Sequence, residues 1–169
     1  VVPVTSSIET GFALPPIEDF EKMITPKTRA ILICNPNNPT GYLYSRAEME
    51  VLREICQKHN LFLFSDEAYR EFCYDGENIS ALHIAGLENH VVVFDTISKR
   101  YSACGGRIGA LVTHNRSLLD AVMKFAQARL SPPGFAQIAA EAAVDLPDNY
   151  FDGIKAEYQG RRDVLVAAL

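Results

Sequence analysis

Three short apolar runs, Ala30–Cys34, Leu61–Phe64 and Val91–Phe94, each end on residues that can do chemistry. The first releases Asn35-Pro36-Asn37-Asn38-Pro39-Thr40-Gly41, the second Ser65-Asp66-Glu67-Ala68-Tyr69, and the third Asp95-Thr96-Ile97-Ser98-Lys99. Between them they offer an amine at Lys99, an acid at Asp66, a phenol at Tyr69, an amide at Asn38 and hydroxyls at Thr96 and Ser98. Arg107 follows eight residues after Lys99 and adds a planar guanidinium fork. Such a set suits an anionic, planar, carbonyl-bearing ligand better than a metal or a peptide. Taken singly, each residue has a plainer reading. Lys99 is a solvated loop lysine, Asp66 a turn cap, Tyr69 a half-buried packing residue, Asn38 a turn residue and Arg107 half of a surface ion pair. Glu67 reads as the solvent-facing carboxylate beside Asp66.

The elements that must position these residues alternate. Buried runs of four or five residues followed by polar turns and helices argue for an α/β domain on a mostly parallel sheet with helices on both faces. Ser45-Arg46-Ala47-Glu48 is a capping box that opens a helix carrying Met49, Leu52, Ile55 and Cys56 on one side. A shorter helix is expected over Ile17–Ile24, and a strand over Val1–Thr5. Arg107–Thr113 is a further strand, separated from Lys99 by the seven residues Arg100 to Gly106. A parallel crossover needs about a dozen residues or more. That strand must therefore run antiparallel, which returns Arg107 to the sheet end that carries Lys99. Helices follow at Leu118–Ala126, at Ala136–Leu146 after the Pro132-Pro133-Gly134 break, and from Tyr150 onward. Ligands of open α/β sheets bind beyond the carboxyl ends of the strands, so Asn38, Asp66, Tyr69, Lys99 and Arg107 share one crevice.

The 169 residues are close to half apolar and carry a formal net charge of −5, an ordinary globular composition with no basic stripe for nucleic acid. No apolar run reaches the length that spans a bilayer, and the default location is the cytoplasm. Four cysteines, 34, 56, 73 and 104, show no Cys-x-x-Cys pair and read as buried free thiols. The four histidines show no metal-ligand spacing, so no metal is expected. Val1 is not a methionine, and the chain stops within an apolar helical pattern at Leu169. Both features suggest a piece of something longer.

Asn35-Pro36-Asn37-Asn38-Pro39-Thr40-Gly41, Asp66-Glu67-Ala68-Tyr69, Ser98-Lys99 and Gly106-Arg107-Ile108-Gly109, in this order and spacing, resemble the signatures of class I/II aminotransferases of the aspartate aminotransferase fold type. The resemblance runs over essentially the whole chain. It implies pyridoxal 5'-phosphate as cofactor, with Lys99 joined to its aldehyde and then released as the base that moves the substrate α-proton. By the same resemblance Asp66 pairs with the pyridine nitrogen, and Tyr69 and Asn38 donate to the ring's phenolate oxygen. Arg107 grips the phosphate, Thr96 stands where the family places a phosphate-binding hydroxyl, and Ser98 can add another donor. Residues 1–148 then form the central part of the cofactor-binding large domain, and 149–169 a helix leading toward a small domain.

The expected reaction passes the amino group of an amino acid, aspartate-like as the leading guess, to a 2-oxo acid, in a homodimer. Carbon–sulfur β-lyases, decarboxylases and aminocyclopropane-carboxylate synthases use the same lysine and ring. A non-catalytic phosphate-binding module or an inactive fragment is the alternative from another class. The family's phosphate-cradling turn, ring-stacking aromatic and partner-subunit tyrosine belong before Val1, and its substrate-carboxylate arginine beyond Leu169. The isolated chain is accordingly expected to be inactive.

Overall fold

The computed structural model describes residues 1–169. Its centre is a four-stranded sheet in the order β1 (Ala30–Cys34), β2 (Phe62–Asp66), β3 (Val91–Thr96) and β4 (Gly109–Val112). β1, β2 and β3 are parallel, with Ala30 opposite Phe62 and Leu63 opposite Val91. β4 runs antiparallel to β3, and Thr96 faces Gly109 across the ladder. The short connection after Lys99 thus has the consequence expected of it. A Cβ on Gly109 would stand 3.1 Å from the Asp95 carbonyl oxygen, so a small residue suits this close approach.

Side chains alternate across the pleat, and the two faces differ. Ile31, Ile33, Leu63, Val91 and Val93 lie on one face and join Met49, Leu52, Ile55 and Cys56 of α2 (Arg46–His59) in the main core. Phe20 of α1 (Ile17–Met23) and Ala81, Ile84 and Leu87 of the β2–β3 connection complete it. The other face carries Phe62, Phe64 and Phe94 in an aromatic row, with Phe64 and Phe94 edge to face at 5.7 Å between centroids. This face is closed around buried Val92 and opens at Leu32, which is 65% exposed. The helical cover expected on both faces is thus dense on the α1–α2 side and sparser on the other.

α2 begins where its capping box predicts. The Ser45 hydroxyl accepts from the Glu48 N–H, and the Glu48 carboxylate accepts from the Ser45 N–H at 2.8 Å. Its other oxygen accepts from the Leu14 N–H and the Tyr42 hydroxyl, both at 2.8 Å, which ties the N-terminal segment to the helix. Burial pushes the Glu48 carboxyl up, but the Leu14 and Ser45 bonds outweigh it and hold the group below its ordinary 4.5. Glu48→Gln is expected to cost about 1–2 kcal/mol at neutral pH, discounted for partial exposure. A folded value below the unfolded one contributes stability above 4.5 and loses it as pH falls through the folded value. The gap between wild type and variant in urea unfolding should accordingly close on acidification.

Two expectations need correction. Val1–Thr5 forms no strand: it is extended chain with no ladder partner, and a lone run of β-formers cannot satisfy its backbone groups. Of the four free cysteines only Cys56 is buried, its thiol pushed up to about 12 by burial. Cys34, the last residue of β1, and Cys73 are half-buried and Cys104 is exposed, because they lie where strands give way to connections and not in the core.

The last three helices, α4 (Arg116–Arg129), α5 (Gly134–Val144) and α6 (Asp152–Ala168), bury no residue, although they carry Phe125, Phe135 and Val164. α6 is anchored at its flanks by Phe72 against Tyr158 and by an Arg162–Asp75 ion pair of 2.6 Å. No helix is long and apolar enough to cross a membrane.

Candidate active site

The carboxyl ends of β1, β2 and β3 and the start of β4 present the chemistry together. β1 delivers Asn35, wholly buried, whose N–H donates to the Asp66 carbonyl and whose side-chain oxygen accepts from the Tyr44 N–H at 3.0 Å. This anchors both ends of the Asn-Pro loop, in which the Asn35-Pro36 and Asn38-Pro39 peptides are cis. Within the loop the Gly41 N–H donates to Asn37 and the Thr40 hydroxyl to the Asn37 side chain. Gly41 has φ 72°, a left-handed conformation that glycine adopts without strain. The exposed product is Asn38, whose Nδ2 donates to the Tyr69 hydroxyl at 3.0 Å.

Tyr69 is brought to Asn38 by the turn after β2. Asp66 begins that turn by accepting from the Ala68 N–H at 3.1 Å through one carboxylate oxygen. Lys99 reaches the same tyrosine from β3: its Nζ lies 5.9 Å from the centre of the Tyr69 ring. Lys99 sits on α3 (Ile97–Arg100), the short helix that starts directly from β3 with Thr96 as its cap. The Thr96 hydroxyl lies 2.8 Å from the Ser98 hydroxyl and 2.9 Å from the Ile108 carbonyl, so it joins the cap to the start of β4.

Asn38, Tyr69 and Lys99 are therefore in one contact group, and Thr96 with Ser98 in another. Asp66 ends β2 and Arg107 lies two residues before β4, and their side chains hydrogen-bond to the Ala68 N–H and the Cys104 carbonyl and not to either group. Arg107 precedes β4 in a left-handed conformation, φ 55°, which costs a non-glycine residue about 1 kcal/mol or more. Its Nη1 donates to the Cys104 carbonyl at 3.1 Å.

The reading of Glu67 as solvent-facing is wrong. It is 0% exposed, and its Oε1 accepts from the Ala81 N–H at 2.8 Å and the Ser65 hydroxyl at 3.1 Å. Oε2 has no hydrogen-bond partner. Burial raises the carboxyl above its ordinary 4.5 against the pull of those donors. The signal was present: Leu63, Ser65 and Glu67 continue the period-two alternation of the buried face. Arg70, Glu71, Asp95 and Arg100 were also not singled out, yet they form an ion-pair cluster whose members adjoin Tyr69, Thr96 and Lys99 in the chain.

No group of three or more His, Cys, Asp or Glu is placed to hold a metal ion. What converges is one exposed amine beside a phenol that already accepts from an amide, with a carboxylate one strand away.

Residues 12–169 match the family model described as aminotransferase class I and II. The chain is 33% identical to arginine–pyruvate transaminase of Pseudomonas aeruginosa over all of its own length and 43% of that protein's. It is 34% identical to aspartate aminotransferase of Sulfolobus acidocaldarius over 95% of the chain and 40% of the relative. The structure of Thermus thermophilus aspartate aminotransferase with maleate superposes with a TM-score of 0.87 at 29% identity, covering 96% of this chain and 42% of that one. The chain thus spans less than half the length of the relatives it matches. With a matching model over nearly its whole length and the same α/β fold, the chain belongs to the class I and II aminotransferase family, whose members use pyridoxal 5'-phosphate.

Proposed function

We propose that the full-length protein is a transaminase that uses pyridoxal 5'-phosphate to move the amino group of an amino acid to a 2-oxo acid. Aspartate is the first donor to test. The observation that carries this reading is the Asn38–Tyr69–Lys99 group at the carboxyl end of the sheet. In this reading residues 1–148 are the central part of the cofactor domain, and 149–169 the helix leading out of it.

When bound, pyridoxal phosphate supplies an aldehyde for covalent attachment and a ring that accepts electrons. Lys99, exposed on its short helix beside Tyr69, would hold the cofactor and serve as the base for the substrate α-proton. Asp66 spends one oxygen on the Ala68 N–H and keeps the other for the proton on the ring nitrogen. Asn38 donates to the Tyr69 oxygen, which leaves the tyrosine's own proton to donate to the ring oxygen. Thr96, Ser98 and Arg107 would hold the phosphate, Arg107 with the guanidinium that in this structure donates to the Cys104 carbonyl. The residues present fit the cofactor because the donors and acceptors it needs from this segment lie at the carboxyl ends of β1, β2 and β3 and just before β4. A homodimer in the cytoplasm completes the proposal.

The test is to supply the full-length protein with pyridoxal phosphate, aspartate and 2-oxoglutarate and follow both products. Glutamate and oxaloacetate should appear in equal amounts, and omitting the oxo acid should stop turnover after one cofactor equivalent. Continued release of ammonia from aspartate, or of thiol from a cysteine conjugate, without an oxo acid would instead assign a lyase. Repeating the assay with arginine ranks the two donors that the relatives' names suggest.

A further inference from the structure

Adjoining Tyr69, Thr96 and Lys99 in the chain is a closed circuit of four charges. Asp95 Oδ2 is 2.8 Å from Arg100 Nη2 and 3.3 Å from Arg70 Nη2. Glu71 Oε1 is 3.4 Å from Arg100 Nε and 3.5 Å from Arg70 Nε, which completes the ring. The Arg100–Glu71 contact is an ion pair without hydrogen-bond alignment, since Arg100 Nε is buried and makes no hydrogen bond. Asp95 uses its remaining oxygen to accept from the Thr96 N–H at 2.7 Å. The side chains of Arg100 and Asp95 are only 13% and 18% exposed, so screening by water is weak.

Each arm of this circuit is covalently next to a site residue. Arg70 follows Tyr69, Arg100 follows Lys99, and Asp95 precedes Thr96. No backbone ladder joins the turn after β2 to α3, so these ion pairs link the two segments that carry the phenol and the amine. We propose that Arg70, Glu71, Asp95 and Arg100 are positioning residues that hold Lys99 against Tyr69. The ring is neutral as a whole, with alternating signs, so it fixes geometry without imposing a net charge on the lysine. Breaking one member unbalances it: loss of Asp95 leaves an excess positive charge beside Lys99, and loss of Arg100 an excess negative one. The two losses change the charge next to Lys99 in opposite senses, so the reactivity of its amine should move in opposite directions, which a purely structural role would not produce.

The inference rests on the reading of Lys99 as cofactor anchor, and the test separates the two. In the full-length protein, Asp95→Asn, Arg100→Gln and the exchanged pair Asp95→Arg with Arg100→Asp are compared with wild type. Without cofactor, limiting acetic anhydride labels the lysines, and peptide mass spectrometry gives the labelling of Lys99 relative to exposed Lys22. With pyridoxal phosphate, the pH midpoint of the visible band is followed.

Asp95→Asn is expected to raise the labelling ratio and Arg100→Gln to lower it, each by about threefold or more, with the exchanged pair returning toward wild type. The band midpoint should fall in the first and rise in the second. Lower urea midpoints in both variants with an unchanged labelling ratio and unchanged band midpoint would overturn the proposal. If either variant fails to fold, Glu71→Gln, at the more exposed side of the ring, carries the same comparison and should resemble Arg70 and Arg100 left in positive excess. Absence of any band in wild type would remove the cofactor reading, while the labelling ratios would still decide the role of the ring.

Discussion

Lys99→Ala in the full-length protein should abolish covalent capture of pyridoxal phosphate while leaving the fold intact. Borohydride reduction followed by intact-mass measurement should add one cofactor to wild type and none to the variant. Amino transfer should fall by about 10²–10⁴-fold from loss of the proton-moving base alone, and further from loss of the anchor. The structure makes the control informative. Lys99 is exposed in a four-residue helix, and the interaction recorded for its amine is the Tyr69 ring at 5.9 Å. An exposed cation over an aromatic ring contributes about 0.5–1 kcal/mol, so the urea midpoint should scarcely move. A reduced adduct that persists in Lys99→Ala would locate the anchor elsewhere and overturn the assignment of the whole site.

Much of the scaffold for this experiment was legible in the amino-acid order because local rules and tertiary packing agree there. Ala30–Cys34 is a strand over the same residues that its apolar run marks, and the Ser45 capping box begins α2. The direction of β4 followed from the length of one connection, although its ladder starts at Gly109 and not at Arg107. What was not legible depended on partners distant in sequence. Val1–Thr5 has strand composition, but no neighbouring strand accepts it. The Arg70–Glu71–Asp95–Arg100 ring joins two segments more than twenty residues apart, and charged residues in loops read as solvated until their partners are known. The candidate site residues form an ordered set in the sequence, while the contacts among them were not legible there. Arg107 illustrates the difference: its return to the sheet end follows from topology, but its bond to the Cys104 carbonyl follows from a local left-handed turn.

Glu67 shows how far burial alone can reverse a reading, and it supplies the larger stability effect. Its carboxyl is the acceptor for two donors that water does not reach, the Ala81 N–H and the Ser65 hydroxyl. Glu67→Ala would strand both and leave a cavity, at a cost of about 2–4 kcal/mol. Glu67→Gln retains an acceptor in the same place and should cost far less. The pH dependence separates charge from shape. Burial raises the folded carboxyl above 4.5, so over the window that begins near 4.5 the unfolded chain has released the proton and the folded chain still holds it. A raised folded value means that the contribution is fully present below the unfolded value and is lost as pH rises through the folded one. Glutamine has no proton to lose. In urea unfolding at a series of pH values, wild type should therefore lose stability relative to Glu67→Gln as pH rises through that window, and the difference should then level off. A difference that grows in wild type's favour with rising pH would mean that the buried carboxylate is ionised and paired. Because the Glu67 N–H also donates to the Phe94 carbonyl at 2.9 Å, the same residue clamps β2 to β3 one position after Asp66. Glu67→Ala keeps this backbone bond but removes the side-chain bonds to Ala81 and Ser65 beside Asp66, so it should weaken cofactor retention in the full-length protein as well as stability, whereas Glu67→Gln should leave retention near wild type. Ionisation of Glu67 thus acts on stability, and its shape and hydrogen bonds act on the placement of Asp66.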